Sequence, residues 1–474
     1  MFVTTFRKAV ALAAAGAGLV ALLLSATSAH AVPSFARQTG LACEACHTVF
    51  PELTPFGRKF KLNGYLIDNL PQVKGVTPDN KEALALNWMP PLSVQFIGSY
   101  TRTKTAQPDV TTGGGFSGDS QDGTVQFPEA FSLFYAGRIA PKVGGFIQVT
   151  YDNQDNTFGW DNTDIRFADQ AMLKDNPLTY GVTFNNAPTV QDPWNSTPAW
   201  RYPFSQTSSV MPTPIASTQL DGLGNDKVAG LGAYVLWNNL VYAELTAYAP
   251  APHGLGGNPL NSAFPDATVH GIAPYWRIAV EPQWGQQSFS FGAYGINDQL
   301  VPGGVNVTVG PYDKFRDTAI DAQYQFIGDD HIFSAQTTYI WEKQTLNATL
   351  PADPSQTLKT FRIGGSYFYQ RKLGGSLGYF STTGSANDIY ACPTPDPTAT
   401  QAAPCSANNS PNSKGYALEL DYLPWQNVKL AVQYVVFTQF NGQSTYLLQA
   451  PDGSQMTRNA SANNTLYIFG WLAF

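Results

Sequence analysis

The sequence predicts a mainly β fold, an antiparallel transmembrane β-barrel of about sixteen strands, preceded by a small helical N-terminal segment. Three observations lead to this fold class. Charged residues make up 13% of the 474 residues, about half the usual share for a soluble domain. Aromatic residues also reach 13%. From Pro91 onward, apolar residues alternate with small polar ones, which suits strands that lie between lipid and a water-filled lumen.

The first 31 residues have the pattern of a signal peptide. Arg7 and Lys8 are positive, residues 10–24 form a short apolar run, and Ala29-His30-Ala31 is an A-x-A cleavage site. The mature chain is therefore expected to begin at Val32. An uncleaved membrane anchor is the alternative, although the apolar run is short and rich in alanine. Export leaves the periplasm, the exterior or the outer membrane as destinations, and the composition favours the outer membrane.

A C-x-x-C-H motif lies near the start of the mature chain, at Cys43, Cys46 and His47. It is the attachment signal for a c-type haem. The two thiols can add to the haem vinyl groups, and His47 would then be the proximal ligand of the iron. The predicted cofactor is therefore one covalent haem c. A C-x-x-C disulfide or a different metal site is the alternative for these residues.

A short helix is predicted directly after this motif. Thr54 suits the N-cap, Pro55 suits the first helical position, and Gly64 can close the helix. Phe56 and Phe60 are one turn apart and share a face. That face could cover a haem edge or simply pack against the motif, and the pattern does not separate the two.

Four basic residues near the motif are candidates for pairing with the haem propionates. Arg37 and Arg58 are the better candidates because a planar guanidinium matches a carboxylate. Lys59 and Lys61 are the other two. A solvated basic face is the alternative for each of them.

The distal iron ligand is left open by the sequence. Between Val32 and Pro90 there is no second histidine, and Met89 is the only methionine. A thioether from Met89 would raise the reduction potential of a haem, whereas packing within a linker is the alternative. The other histidines of the mature chain are His253, His270 and His331. Each could reach a haem inside the barrel or could be an ordinary surface residue.

Residues 91–474 are expected to form the barrel, and residues 32–90 the cytochrome segment. Short connections alternate with long ones along the chain, as in outer-membrane barrels with short periplasmic turns and long external loops. A soluble β-sandwich or propeller is the alternative. The predicted strands are 92–100, 131–139, 143–151, 163–167, 179–185, 228–237, 240–248, 273–281, 288–296, 318–326, 332–341, 361–369, 373–380, 416–423, 428–438 and 465–474.

The remaining features concern the C-terminus, the other cysteines and the charge. The chain ends on Phe474 within an alternating strand, which suits a strand that closes a barrel. Cys392 and Cys405 are expected to form a disulfide in an oxidising compartment, with two free thiols as the alternative. The formal net charge is −7 and no basic run is present, so nucleic acid is not an expected partner.

Residues 33–65 resemble the N-terminal domain of the fused monohaem cytochrome–porins of bacterial outer membranes. The C-x-x-C-H motif and the following T-V-F-P-E-L-T-P-F-G-R-K-F-K carry most of this resemblance. It extends to residues 183–195 and to the C-terminal Phe474. The best-known members are iron(II)-oxidising cytochromes. The resemblance implies that Cys43, Cys46 and His47 hold the haem, and it identifies no iron-binding residue.

The expected function is the transfer of single electrons between an extracellular donor, with Fe(II) as the best candidate, and a periplasmic electron-carrier protein. Such a protein could be an iron(II):cytochrome c oxidoreductase. Because the hydrocarbon layer is roughly 30 Å thick, the haem is expected within or just below the lumen, on a segment that plugs it. The alternatives are a diffusion porin gated or plugged by the haem segment, and a periplasmic carrier that uses the barrel as an anchor in lipid.

Overall fold

The computed structural model describes residues 33–67, 72–76, 82–108, 123–153, 156–194, 207–222, 228–251, 268–302, 309–395 and 403–474. The predicted signal peptide, residues 1–31, lies outside these residues. So does most of the external loop that contains His253. All statements below concern the described residues.

The predicted barrel of sixteen antiparallel strands is confirmed. Each strand pairs with the next one in the chain, and the last strand pairs with the first to close the sheet. The strands are β1 Leu92–Thr103, β2 Thr124–Ala140, β3 Val143–Asp152, β4 Thr157–Leu173, β5 Asn176–Asn185, β6 Val228–Trp237, β7 Val241–Pro250, β8 Ala273–Val280, β9 Gln287–Val301, β10 Asp313–Ile327, β11 His331–Leu346, β12 Ser355–Tyr369, β13 Leu373–Gly384, β14 Ser413–Trp425, β15 Val428–Gln439 and β16 Thr465–Ala473.

Short helices and small strands accompany the barrel. The helices are α1 Pro33–Thr39, α2 Cys43–Cys46, α3 Pro55–Leu62, α4 Pro188–Gln191 and α5 Gln219–Gly222, with 3₁₀ turns at Asp388–Tyr390 and Ala460–Asn463. The additional strands are Gln72–Val76 paired with Glu82–Asn87, the short pieces Thr268–Val269 and Gln283–Trp284, and an external sheet of Ala403–Cys405, Thr445–Gln449 and Gln455–Asn459. Among the described residues, no helix is long and apolar enough to cross a membrane.

The two faces of the barrel wall differ as the alternation in the sequence predicts. On β14, Leu418, Leu420 and Tyr422 are exposed on the outer surface, whereas Glu419 and Asp421 are buried on the lumen side. The same alternation runs through most of the strands. The outer surface therefore presents apolar and aromatic side chains to lipid, and the inner surface presents polar ones.

Strand β4 differs from the sequence prediction. It runs over Thr157–Leu173 rather than 163–167, and a tight turn at Lys174 and Asp175 follows it, where a longer connection was expected. Both turn residues have positive φ, as a two-residue hairpin turn requires. The period of two is interrupted outside 163–167, because residues 157–160 and 170–173 are exposed at consecutive positions and the register with β3 shifts between Trp160 and Thr163.

Two segments lie inside the lumen. The first, which we call the plug, is residues 33–67 and enters from the end with the short turns. The second, which we call the inward segment, comprises residues 186–194 and 207–222 of the long connection between β5 and β6. Ser208 of the inward segment hydrogen-bonds Thr101 of the wall (Oγ–Oγ1 2.6 Å), and Trp194 Nε1 donates to Glu281 Oε2 at 2.7 Å. The lumen is thus occupied from both ends.

The external loops contain the disulfide that the sequence predicts. The sulfur atoms of Cys392 and Cys405 are bonded to each other. Cys405 belongs to the small external sheet, which pairs it with Leu447. The two remaining cysteines, Cys43 and Cys46, are not joined to each other.

Candidate haem site

The helices of the plug position the C-x-x-C-H motif. The N-cap predicted at Thr54 is present, since its Oγ1 accepts a hydrogen bond from the Gly57 amide at 3.1 Å. The same hydroxyl donates to the carbonyl of Ala45, in the motif, at 2.7 Å. One side chain therefore starts α3 and holds it against α2.

Gly57 allows the two helices to approach closely. A Cβ atom added at this position would lie 2.3 Å from the carbonyl oxygen of Cys46. This oxygen also accepts the backbone N–H of Thr54 at 2.9 Å. Because the neighbour is backbone rather than a flexible side chain, only glycine fits here without moving the motif.

The motif is also fixed to the short-turn end of the barrel. The amide of Cys43 donates to Oε1 of Gln426, in the turn between β14 and β15, at 3.0 Å. Glu44 forms an ion pair with Arg371, in the turn between β12 and β13, at 3.3 Å. These contacts place α2 at the periplasmic end of the lumen, where the short turns lie.

Cys43, Cys46 and His47 line a single cavity between the plug and the barrel wall. Its wall residues come from the ends of strands near the short turns, such as Val94 of β1 and Val428 of β15. Seven aromatic side chains line the same space. They are Phe35, Phe50, Phe60, Tyr65, Phe134, Phe146 and Trp471. A largely apolar cavity with two thiols and one imidazole has the donor set and the surroundings that a covalent haem needs.

The protonation of the motif side chains also fits this cofactor. Burial lowers the pKa of His47 to about 4, with the backbone of Glu52 and Pro51 acting in the opposite direction. The imidazole is therefore neutral at neutral pH, which is the form that ligates iron. Burial raises the pKa of the Cys46 thiol to about 11. Cys46 is thus a protonated thiol rather than a thiolate in the absence of a bound group.

The structure places the predicted propionate partners away from the cavity. Arg58 is 3% exposed and pairs with Glu281 at 2.8 Å, and its guanidinium also donates to Gln325 at 3.1 Å. It therefore fixes the plug to the wall instead of facing the cavity. Arg37 is exposed, and its guanidinium donates to the carbonyl of Leu92. Neither side chain lines the cavity that contains Cys43, Cys46 and His47.

Two lysines do line the cavity. Lys61, the weaker sequence candidate, donates through Nζ to the carbonyls of Val190 and Asp192 in the inward segment. Burial lowers its pKa to about 8. Lys429 lies on β15, where its Nζ is 2.6 Å from Glu419. Sequence reasoning missed Lys429, although a lysine on the lumen face of an alternating strand is a signal that could have identified it.

Glu52 is a further plug residue that the sequence did not single out. It is fully buried and accepts hydrogen bonds from Gln325, from Gln323 at 3.0 Å and from Ser334 at 2.7 Å. Burial raises its pKa, while these hydrogen bonds and Arg58 act in the opposite direction. Together with Arg58, it attaches the plug to β10 and β11.

The structure does not bring Met89 to the cavity. Met89 is 43% exposed and does not line the space beside His47. His331 is exposed and hydrogen-bonds Tyr367 at 2.7 Å. His270 stacks on Tyr312 with ring centroids 4.1 Å apart. Among the described residues, His47 is therefore the one imidazole that lines the cavity.

Comparison with known proteins gives matches only among solved structures. No family model and no curated protein matches the chain. The outer membrane channel DcaP of Acinetobacter baumannii is 11% identical, with a TM-score of 0.42 over 81% of this chain and 96% of that one. OmpF of Salmonella typhi, solved with daunomycin, is 12% identical with a TM-score of 0.44, covering 81% and 97%. An anion-selective porin from Comamonas acidovorans is 10% identical with a TM-score of 0.41, covering 81% and 98%.

The barrel itself determines where the protein resides. Its sheet has no open edge among the sixteen strands, its connections alternate short and long, and its outer surface is apolar and aromatic. A closed barrel is the form in which strands can cross a bilayer, because every backbone hydrogen bond is satisfied within the sheet. The chain is a sixteen-stranded β-barrel protein of the bacterial outer membrane.

Proposed function

We propose that this protein is an outer-membrane cytochrome that moves single electrons between an extracellular donor and a periplasmic electron carrier through one haem c. The observation that carries the proposal is that Cys43, Cys46 and His47 line one aromatic cavity inside the lumen. Cys43 and Cys46 would hold the haem through thioether bonds, and His47 would ligate its iron. When bound, the haem supplies a one-electron redox centre.

The surrounding residues have separate roles in this proposal. Phe50 packs edge-on against Trp471 of β16 (centroids 4.9 Å apart), which excludes water from one side of the cavity. Lys61 is a cation at the cavity surface and could neutralise a haem carboxylate. Arg58 and Glu52 hold the plug, and therefore the motif, at a fixed position against the wall.

Fe(II) is the donor that we propose. It gives up one electron, which matches a one-electron centre, and oxidation on the lumen side of the cavity would keep insoluble Fe(III) outside the cell. The chain would then act as an iron(II):cytochrome c oxidoreductase. The cavity lies at the periplasmic end of the lumen, where a soluble carrier protein could approach it.

A diffusion porin that is plugged or gated by the N-terminal segment is the second candidate function. The porin-like barrel favours it, because nothing in the barrel wall itself requires a haem. The three solved structures reported above are named as a channel, OmpF and a porin. In this function, the plug would have to leave the lumen to let solutes pass, which means breaking the contacts of Arg58 and Glu52.

One set of measurements on the purified full-length protein separates the two functions. The visible spectrum after reduction reports covalent haem c, and stopped-flow mixing with Fe(II) reports electron transfer. Haem reduction by Fe(II) within seconds, without solute flux into liposomes, is the result we expect. A protein that carries no haem, or that passes solutes rapidly and is not reduced by Fe(II), would contradict the proposal and support the porin.

A further inference from the structure

Part of the connection between β5 and β6 passes through the lumen beside the plug. Residues 186–194 follow β5 at its outer end, away from the tight turn that precedes this strand, and all of them are buried. Trp194, the last of them, donates from Nε1 to Glu281, which directly follows β8 in the short connection to β9. These residues, which we call the descending segment, therefore run from the extracellular side of the lumen to the level of the plug.

Glu281 joins the descending segment to the plug. Its Oε2 accepts the indole N–H of Trp194 at 2.7 Å and Nε of Arg58 at 2.8 Å. Its Oε1 accepts Nη2 of Arg58 at 2.9 Å. The side chain of Glu281 is 6% exposed. Because a buried carboxylate that loses one partner is left incompletely satisfied, the contact from the plug and the contact from the descending segment support each other.

Lys61 makes a second link between the two segments. It belongs to α3 of the plug, and its Nζ donates to the backbone carbonyl of Val190 and, at 3.3 Å, to that of Asp192. Lys61 is buried. A buried ammonium group is strongly disfavoured unless it has hydrogen-bond acceptors, and the backbone of the descending segment supplies two of them. This link depends on the path of that backbone rather than on a side chain.

Apolar packing makes the third link. Ala187 and Val190 of the descending segment belong to one buried cluster with Phe60 and Tyr65 of the plug. Val190 also lines the cavity that contains the C-x-x-C-H motif. The descending segment is therefore part of the wall of this cavity, and its displacement would open the cavity on that side.

The barrel wall holds both segments at neighbouring points. The hydroxyl of Tyr234, on β6, donates to the carbonyl of Leu62 at the end of α3, at 2.7 Å. The same tyrosine packs in a buried cluster with Leu62 and Trp194. Arg166 of β4 donates to the carbonyl of Gln191 at 2.7 Å. The two segments thus share wall residues in addition to contacting each other.

We propose that the plug and the descending segment form one interlocked unit, so that an external connection of the barrel controls how the plug is seated. Two states follow from this. In the first, which the structure shows, both segments are in place. In the second, both are released, because release of one alone leaves the carboxylate of Glu281 or the ammonium of Lys61 buried without partners.

The coupling acts in both directions, because the free energy that links two sites is the same from either side. A ligand at the cell surface that displaces the descending segment would loosen the plug at the periplasmic end. A plug that is held more firmly, for example by a group bound in the cavity, would order the descending segment. The inference does not require a bound haem, and it holds equally for a plugged porin.

Hydrogen exchange of the purified full-length protein, followed by mass spectrometry, tests the interlock. Trp194→Phe removes the N–H that reaches Glu281 and keeps an aromatic ring. Amides of α3, which does not contain residue 194, should exchange about tenfold faster or more, since the net contribution of a hydrogen bond to a carboxylate is of that size. The matched control is Trp237→Phe, on the outward face of β6, whose indole N–H has no hydrogen-bond partner among the described residues. It should leave exchange in α3 unchanged.

The reverse experiment changes the plug and observes the descending segment. Arg58→Gln should accelerate amide exchange in residues 186–194 by a similar factor, with amides of β14 as the internal control. The effects of Trp194→Phe and Arg58→Gln should be less than additive in the double variant, because both changes act on Glu281.

Unchanged α3 exchange in Trp194→Phe, or strictly additive effects in the double variant, would overturn the proposal in favour of two independently anchored segments. Heat-modifiable gel mobility shows that each variant keeps a folded barrel. If Trp194→Phe does not fold, exchange of residues 186–194 in Arg58→Gln decides alone. Haem content is measured on the same samples. A haem-free protein that shows the coupling contradicts only the proposed function, whereas a haem protein with independent segments contradicts only the interlock.

Discussion

The two sides of the plug meet the barrel in different ways. The cavity side presents Cys43, Cys46 and His47 to a space lined mainly by aromatic rings. The opposite side presents Arg58 and Glu52, both of which are buried. Arg58 forms an ion pair with the wall residue Glu281, and Glu52 accepts hydrogen bonds from wall residues. The cavity side is separated from the wall by a space large enough for a cofactor, whereas the side with Arg58 and Glu52 is in direct contact with the wall. The comparison shows that residues outside the motif, Arg58 and Glu52, help to set its position, in addition to the motif's own contacts through Cys43 and Glu44.

Removal of the cavity-side thiols should have the largest effect. In the double variant Cys43→Ala/Cys46→Ala, both thioether positions are lost, so covalent haem should disappear completely. Haem staining on a denaturing gel measures this directly. The matched control is Cys392→Ala/Cys405→Ala, which removes the other two cysteines, joined in the external disulfide, and should keep the stain. Haem that stays covalently bound to the first variant would contradict the assignment.

Removal of the ion pair between Arg58 and Glu281 should release the plug from the barrel wall and leave the barrel closed. Arg58→Ala strands the buried carboxylate of Glu281, and loss of one partner of a buried pair costs about 3–5 kcal/mol. Hydrogen exchange of the α3 amides should accelerate by a hundredfold or more, since about 1.4 kcal/mol corresponds to tenfold. Amides of β14 serve as the internal control. An unchanged hydrogen-exchange rate in α3 would show that the ion pair of Arg58 with Glu281 does not hold the plug.

A methyl group between the two helices of the plug should have an intermediate effect. Gly57→Ala places its Cβ against the carbonyl of Cys46, and overpacking of this kind costs about 1–3 kcal/mol. Haem yield per barrel should fall, because α2 is displaced from the wall contacts that position it. Gly159→Ala is the control, since a Cβ there meets no atom within 4 Å. Equal haem yields from the two variants would refute the role of this close approach.

The smallest effect should come from Arg37, one of the two arginines that the sequence favoured for the haem carboxylates. Arg37→Gln changes an exposed side chain that contacts the carbonyl of Leu92, so the reduction potential of the haem should stay the same. Lys61→Gln, on the cavity itself, should shift it. Potentiometric titration of both variants measures the difference. A reduction potential that shifts in Arg37→Gln but not in Lys61→Gln would assign the haem carboxylate to Arg37 instead of Lys61.

The features that the sequence predicted correctly are those that depend on residues close together in the chain. All sixteen strands were found because lipid outside and water inside impose a period of two on each strand. The helix start at Thr54 was found because capping involves residues three apart. β4 was placed too short, because residues 157–160 and 170–173 are exposed at consecutive positions and show no alternation. The strands and the N-cap of α3 are each determined by residues within a few positions of one another, so a single sequence is enough to locate them.

The attachments of the plug could not be predicted in the same way. Arg58 and Glu281 are 223 residues apart, and Glu52 and Ser334 are 282 apart. One sequence gives no indication of which lumen position will face which plug residue, because register and closure decide it. Arg58 was therefore assigned to the haem on its chemistry alone, and the buried carboxylate that it meets was not foreseen.

The contact between Phe50 and Trp471 has a consequence for biogenesis. Trp471 belongs to β16, which follows the other fifteen strands along the chain and completes the barrel by pairing with β1. The contact between the Phe50 ring and Trp471 can form only once β16 is in place, so the final seating of the plug does not precede the pairing of β16. Cys43 is then buried and His47 is half-buried. If a haem is attached to these side chains as proposed, its attachment would have to precede this step, so that an unloaded plug could be told from a loaded one before the barrel is complete.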